Sequence, residues 1–92
     1  MSLRILEEEA RRALEGAVGA VAPDIDTAIS LITELLVKRG VGGTFRYTVR
    51  MLPDGSALVR MRLLSGAKRL EVVVRLATAY RVAAVERVRE LP

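Results

Sequence analysis

At the glycines of Gly40-Val41-Gly42-Gly43 the hydrophobic period of this chain changes from 3.6 to 2. A pattern of period 3.6 buries one stripe of a helix, and a pattern of period 2 buries one face of a strand, so helices precede strands here rather than alternating with them. That order points to an α+β fold and away from a βαβ arrangement. The glycine-rich stretch follows a helix and leads into a strand, the reverse of a phosphate-binding loop, and is read as a connector.

Before the switch, Leu3, Leu6, Ala10, Ala13, Leu14, Ala17, Val18 and Val21 recur at helical spacing and predict a helix over 3–21. Glu7–Arg11 and Glu8–Arg12 have the i,i+4 order that supports it, while Gly16 and Gly19 weaken its last turns. Ala22-Pro23-Asp24 breaks the pattern. A second helix follows, with Asp24 as N-cap (Asp26 the alternative), Ile25, Ala28, Ile29, Ile32, Leu35 and Leu36 on its apolar face, and Gly40 just past its end. So short a connection makes the two helices a hairpin.

After the switch, Phe45, Tyr47, Val49 and Met51 alternate with Arg46, Thr48 and Arg50. Pro53-Asp54-Gly55 is a hairpin turn. Ala57, Val59, Met61 and Leu63 continue the apolar face on a second strand, with Arg60 and Arg62 opposite. After Ser65-Gly66, Leu70, Val72, Val74 and Leu76 do so on a third, with Arg69, Glu71 and Arg75 opposite. Residues 78–91 are ambiguous. Val82, Val85, Val88 and Leu91 at helical spacing favour a third helix, and Tyr80, Val82 and Ala84 in alternation permit a fourth strand; the absence of Gly, Asn or Asp between Leu76 and Tyr80 favours the helix. The expected fold is one domain over residues 1–92, an N-terminal helical hairpin packed on one face of a three- or four-stranded antiparallel sheet. Its core would join the helix stripes to Phe45, Val49, Val59, Met61, Val72 and Val74.

Charge divides along the same line. Residues 1–40 carry 5 basic and 7 acidic side chains, residues 41–92 carry 10 and 4, and the whole chain is +4. If the Pro-Asp-Gly turn sets Arg50 against Leu58, Thr48 against Arg60 and Arg46 against Arg62, and a Ser65-Gly66 turn sets Arg62 against Arg69 and Arg60 against Glu71, a row Arg46–Arg62–Arg69 crosses three strands. Like charges placed opposite one another disfavour pairing, so this face should meet an anion. The anion could be a phosphate backbone, an acidic partner, or the chain's own Glu86 and Glu90 if the C-terminal segment folds over it. The competing account is that arginine merely fills solvent-facing strand positions, lying over apolar neighbours.

Arginine forks onto phosphate, which favours a nucleic-acid-binding module using Arg46, Arg50, Arg60, Arg62, Arg69 and Arg75. The alternative is a protein-interaction subunit or homo-oligomeric structural protein with a basic docking surface. Aromatic residues on a strand can stack bases, but Phe45 and Tyr47 share the face of Val49 and Met51 and are assigned to the core, which leaves backbone contact as the mode. A hydrophobic content of 51% in 92 residues favours self-association, with Ala13, Gly16, Ala17 and Ala20 permitting close helix contact.

No Cys, His, Trp, Asn or Gln occurs in the chain. Disulfides, thiolate or imidazole metal sites and Cys or His catalysis are thereby excluded. Asp24 and Asp26 are better placed as helix N-terminal acids than as a cation site. A nuclease reading of Pro23-Asp24 or Pro53-Asp54 fails because no Glu-x-Lys or Asp-x-Lys follows, and no serine has a base beside it. No enzymatic activity, cofactor or metal is expected. The acidic N-terminus is unlike a signal peptide and no segment is long and apolar enough for a bilayer, so the expectation is a cytoplasmic protein without membrane contact. Thirteen of the fifteen basic residues are arginine, which with the missing amides and thiols fits a heat-adapted protein.

Overall fold

The computed structural model describes residues 3–41, 44–65 and 68–91. Two helices, α1 (Leu3–Glu15) and α2 (Ile25–Lys38), precede strands β1 (Thr44–Met51), β2 (Ala57–Ser65), β3 (Lys68–Leu76) and β4 (Val82–Leu91); a single 3-10 turn, Thr78–Tyr80, joins the last two. The strands pair in sequence order β1-β2-β3-β4, all antiparallel, and both helices pack on one face of the sheet. This is the expected α+β layout, with the C-terminal segment taking the strand rather than the helix.

Of the first helix only the part up to Glu15 forms. The amides of Ala17 and Val18 bond to the carbonyls of Leu14 and Glu15, tightening the chain into a turn that Gly19 completes at φ +95°. A residue with a Cβ would be strained there. The next residues then run beside β4. The Gly19 amide donates to the Val82 carbonyl (2.8 Å), the Val82 amide donates to Ala20 (2.9 Å), and Val21 bridges Arg81. The side chains of Leu3 and Leu6 lie outside the described residues, as do Gly42, Gly43 and Gly66. The pairs Glu7–Arg11 and Glu8–Arg12 do not form; Arg12 and Arg39 turn to Glu9 instead (3.9 and 3.6 Å), and Arg11 to Glu15 (4.0 Å).

The second helix begins and ends as its sequence dictates. Asp24 is extended, and its carboxylate accepts the Thr27 amide at 2.7 Å. At the other end Gly40 takes φ +78°, its amide bonds to the Val37 carbonyl and that of Val41 to Leu36. That crossed pair of bonds is the Schellman arrangement, and it turns fully buried Val41 back onto fully buried Leu36.

Leu14, Ile32, Leu36 and Val41 meet Val59, Met61, Leu63, Leu70, Val72, Val74 and Leu76 in one core. The helix layer covers the inner face of β2, β3 and β4 and stops short of β1. Phe45 is half-buried, but Tyr47, Val49 and Met51 are 49%, 37% and 62% exposed. Val49 and Tyr47 therefore do not belong to the core, contrary to expectation, because two helices of this length do not extend over a fourth, outermost strand. Of the small residues Ala13, Gly16, Ala17 and Ala20, Ala13 and Ala17 are buried within their own chain, Ala20 is half-buried and Gly16 is exposed.

The β4 strand explains its own ambiguity. Val82, Val85 and Val88 lie opposite Leu76, Val74 and Val72, three residues apart on β4 but two apart on β3. Bulges at Ala83 and Glu86 absorb the extra residues, so a valine spacing that imitates a helix keeps all three facing inward. The tight reversal that no glycine supplies is made by Tyr80 in the left-handed region at φ +54°.

Candidate functional site

The strand positions that alternate with the core point to the opposite face, which no helix covers. It gathers Arg46 and Arg50 from β1, Arg60 and Arg62 from β2, Arg69 and Arg75 from β3, and Arg87 and Arg89 from β4, all exposed. All six arginines singled out from sequence are thus on one face. Arg87 and Arg89 join them although the valine spacing of their segment favours a helix; the alternation of Arg87-Val88-Arg89 is their one signal in the sequence.

The expected pairing of β1 with β2 is found: Arg46 lies opposite Arg62, Thr48 opposite Arg60 and Arg50 opposite Leu58. The turn between them closes through the Leu52 amide on the Ser56 carbonyl (2.8 Å), with Gly55 at φ +88°. The Asp54 carboxylate takes both the amide (3.0 Å) and the hydroxyl (2.5 Å) of Ser56, bonds that hold its pKa below the usual carboxylate range.

The pairing of β2 with β3 is not as expected. Ser65 faces Lys68, so Arg62 lies opposite Glu71, Leu64 opposite Arg69 and Arg60 opposite Val73. The row Arg46–Arg62–Arg69 is therefore replaced by Arg46–Arg62–Glu71–Arg89. A shift of two residues keeps every apolar side chain inside, so alternation alone does not fix it. The register adopted sets a carboxylate rather than a second guanidinium against Arg62.

Glu71 is the centre of the face. It is only 2% exposed although no second layer covers it, because arginines close over it. Its Oε1 accepts from Arg89 Nε at 2.9 Å and lies 3.5 Å from an Arg87 nitrogen, and Oε2 is 3.8 Å from Arg60 Nε. Burial pushes this carboxyl up, but the hydrogen bond from Arg89 and the charges of Arg89 and Arg60 outweigh it and hold the group below its ordinary value. Glu86, lifted onto this face by its bulge, pairs with Arg75 at 2.9 Å. That contact is made within the sheet; β4 extends the face sideways rather than folding over it. Arg46, Arg50 and Arg62 have no carboxylate within 4.0 Å among the described residues.

Shallow depressions run between these side chains. One of about 250 Å³ is lined by Arg46, Tyr47, Thr48, Arg60 and Arg62, and one of about 220 Å³ by Arg46, Arg62, Leu63, Leu64, Arg69 and Leu91. Both are below the roughly 300–1,000 Å³ of small-molecule sites. Among the described residues no three His, Cys, Asp or Glu side chains are grouped to hold a metal. Asp24 is an N-cap with a lowered pKa, held there by its bonds from Thr27. No helix among the described residues is long and apolar enough to cross a membrane.

The fold and this face define a two-layer α+β protein with a broad, arginine-lined antiparallel sheet surface. No sequence family, curated protein or solved structure matches the chain.

Proposed function

We propose that this chain is a non-enzymatic nucleic-acid-binding module that contacts the phosphate backbone through the uncovered face of its sheet. The observation that carries the reading is charge imbalance on one surface: among the described residues eight arginines share it with Glu71 and Glu86, with Asp54 acting on Arg75 from the β1–β2 turn, and Arg46, Arg50 and Arg62 have no acidic neighbour within 4.0 Å. Guanidinium groups fork onto phosphate oxygens, and a surface of several such groups releases condensed counterions on binding.

Two features favour backbone contact over base reading. Phe45 and Tyr47 occupy inward positions of β1, which disfavours base stacking on the arginine face. Four strands also make a face about 14 Å wide before side chains are added, broader than the roughly 12 Å major groove, so the sheet lies across phosphates rather than entering the groove. Composition, together with the arginine cluster around Glu71, supports a cytoplasmic, heat-adapted setting for this activity, since ion-pair networks gain in worth with temperature.

A mobility-shift titration with duplex DNA of about 20 base pairs at low salt tests the reading. Binding should weaken steeply as salt rises and depend little on sequence. Changing Arg46, Arg50 and Arg62 together to Glu should reduce affinity at least about a hundredfold. Absence of binding at low salt, or unchanged binding by that variant, overturns it.

A further inference from the structure

We infer that β1 is a self-recognition strand: two copies of this chain pair antiparallel through β1 about a two-fold axis at Thr48, joining their sheets into one. The two edges of the sheet are treated differently. Along β4, Gly19 and Ala20 bond to Val82, and the Glu7 carboxylate accepts the Glu90 amide at 2.8 Å, while two bulges interrupt the edge. No such cover meets β1 among the described residues. It is eight residues long, without proline, glycine or bulge, and its uncovered inner face exposes Tyr47, Val49 and Met51. A long flat edge of this kind is a template for pairing.

Hydrogen-bond directions select the partner and the register. The Leu52 amide points to Ser56 across the hairpin, so by strict alternation Arg50, Thr48 and Arg46 direct their main-chain groups to β2. Phe45, Tyr47, Val49 and Met51 direct theirs outward. The order Phe45-Arg46-Tyr47-Thr48-Val49-Arg50-Met51 reads with the same polarity from either end about Thr48. An axis there sets Tyr47 against Val49 of the partner subunit and Phe45 against Met51 of the partner subunit. Every outward group is then matched, in about eight main-chain hydrogen bonds. An axis at Tyr47 matches only Phe45, Tyr47 and Val49 of the four outward residues with one another. The axis stands perpendicular to the sheet, so both arginine faces lie on the same side.

The strand is about 27 Å long and a sheet about 10 Å thick, so the contact covers on the order of 300 Å² of each subunit, well under the roughly 800 Å² of a standard interface. Association is accordingly weak, with Kd about 10–100 µM. It also sets Arg46 against Arg50 of the partner subunit, an opposition that an anion relieves. Inorganic phosphate or sulfate in place of chloride should therefore tighten it about tenfold.

The test is sedimentation equilibrium of the full chain freed of nucleic acid, so that its outcome is separate from that of the binding assay. Val49→Pro removes only an outward amide, leaves the bonds to β2 intact, and should raise Kd at least about tenfold. In a chain without cysteine, Thr48→Cys should form a disulfide-linked dimer under mild oxidation, because facing non-hydrogen-bonded residues have Cα atoms about 4.5 Å apart, within disulfide range. Arg46→Cys alone should not. A protein that stays monomeric to about 1 mM in phosphate overturns the inference, whatever other strand β1 accepts. So does a dimer that survives Val49→Pro, or one that Thr48→Cys fails to link.

Discussion

Arg89 Nε donates to Glu71 Oε1 at 2.9 Å across β3 and β4, and with Arg87 and Arg60 it encloses a carboxylate that no helix or loop covers. An acid at the middle of an arginine face holds neighbouring strands in register and fixes the guanidinium groups around it. It also subtracts from the charge that the face offers to an anion. Stability and the proposed binding are therefore set against each other at one residue.

Acidification exposes the first half of that relationship. The Glu71 pKa is lower in the folded protein than its ordinary 4.5, so its contribution is complete above pH 4.5 and is lost as pH falls through the folded value. Asp24 and Asp54, also lowered from 3.8, act in the same direction at still lower pH. The melting temperature should be level from pH 7 to about 5 and decline below pH 4.5. Glu71→Gln should flatten the first part of that decline. At pH 7 it should cost about 1–2 kcal/mol, less than the 3–5 kcal/mol of a fully buried pair, because the arginine ends are about half exposed.

The same substitution should improve binding. Glu71→Gln removes one negative charge from the centre of the face, so affinity for duplex DNA at low salt should rise about two- to fivefold and the salt dependence should steepen. A destabilised protein that binds more tightly separates the role of charge from that of folding. Weaker binding by this variant, with the fold intact by circular dichroism, would count against the sheet face as the binding surface.

Gly40 tests the helix terminus in isolation. A Cβ there meets nothing within 4 Å, so Gly40→Ala should be destabilising solely through its φ of +78°. The expected loss is about 1 kcal/mol, a drop in melting temperature of about 4–8 °C, with DNA binding unchanged.

Met61 is fully buried between the helices and the sheet. Met61→Ala should lose about 2–5 kcal/mol by denaturant titration, whereas Met51→Ala on exposed β1 should change stability by less than about 0.5 kcal/mol.

The contrast between those two methionines shows what alternation could and could not convey. Both occupy inward positions of a strand, and nothing local distinguishes them. Alternation assigns a face to each side chain, but the reach of the helix layer decides which inward positions are covered. The β4 valines make the same point. Their spacing of three was ambiguous because a bulge, which exists only in relation to a neighbouring strand, changes the period that a buried face displays.

Local chemistry determined the order of helices and strands, the Asp24 cap, the Gly40 terminus, the Asp54-Gly55 hairpin and with it the facing of Arg46 and Arg62. Each depends on residues a few positions apart, whose steric and hydrogen-bonding preferences act before any distant contact forms. Only the tertiary structure decided that Glu71 faces Arg62 and Arg89, that β4 widens the arginine face, and that β1 is left uncovered. Registers differing by two residues bury the same apolar side chains, and the choice among them rests on turn closure and on charges far apart in sequence.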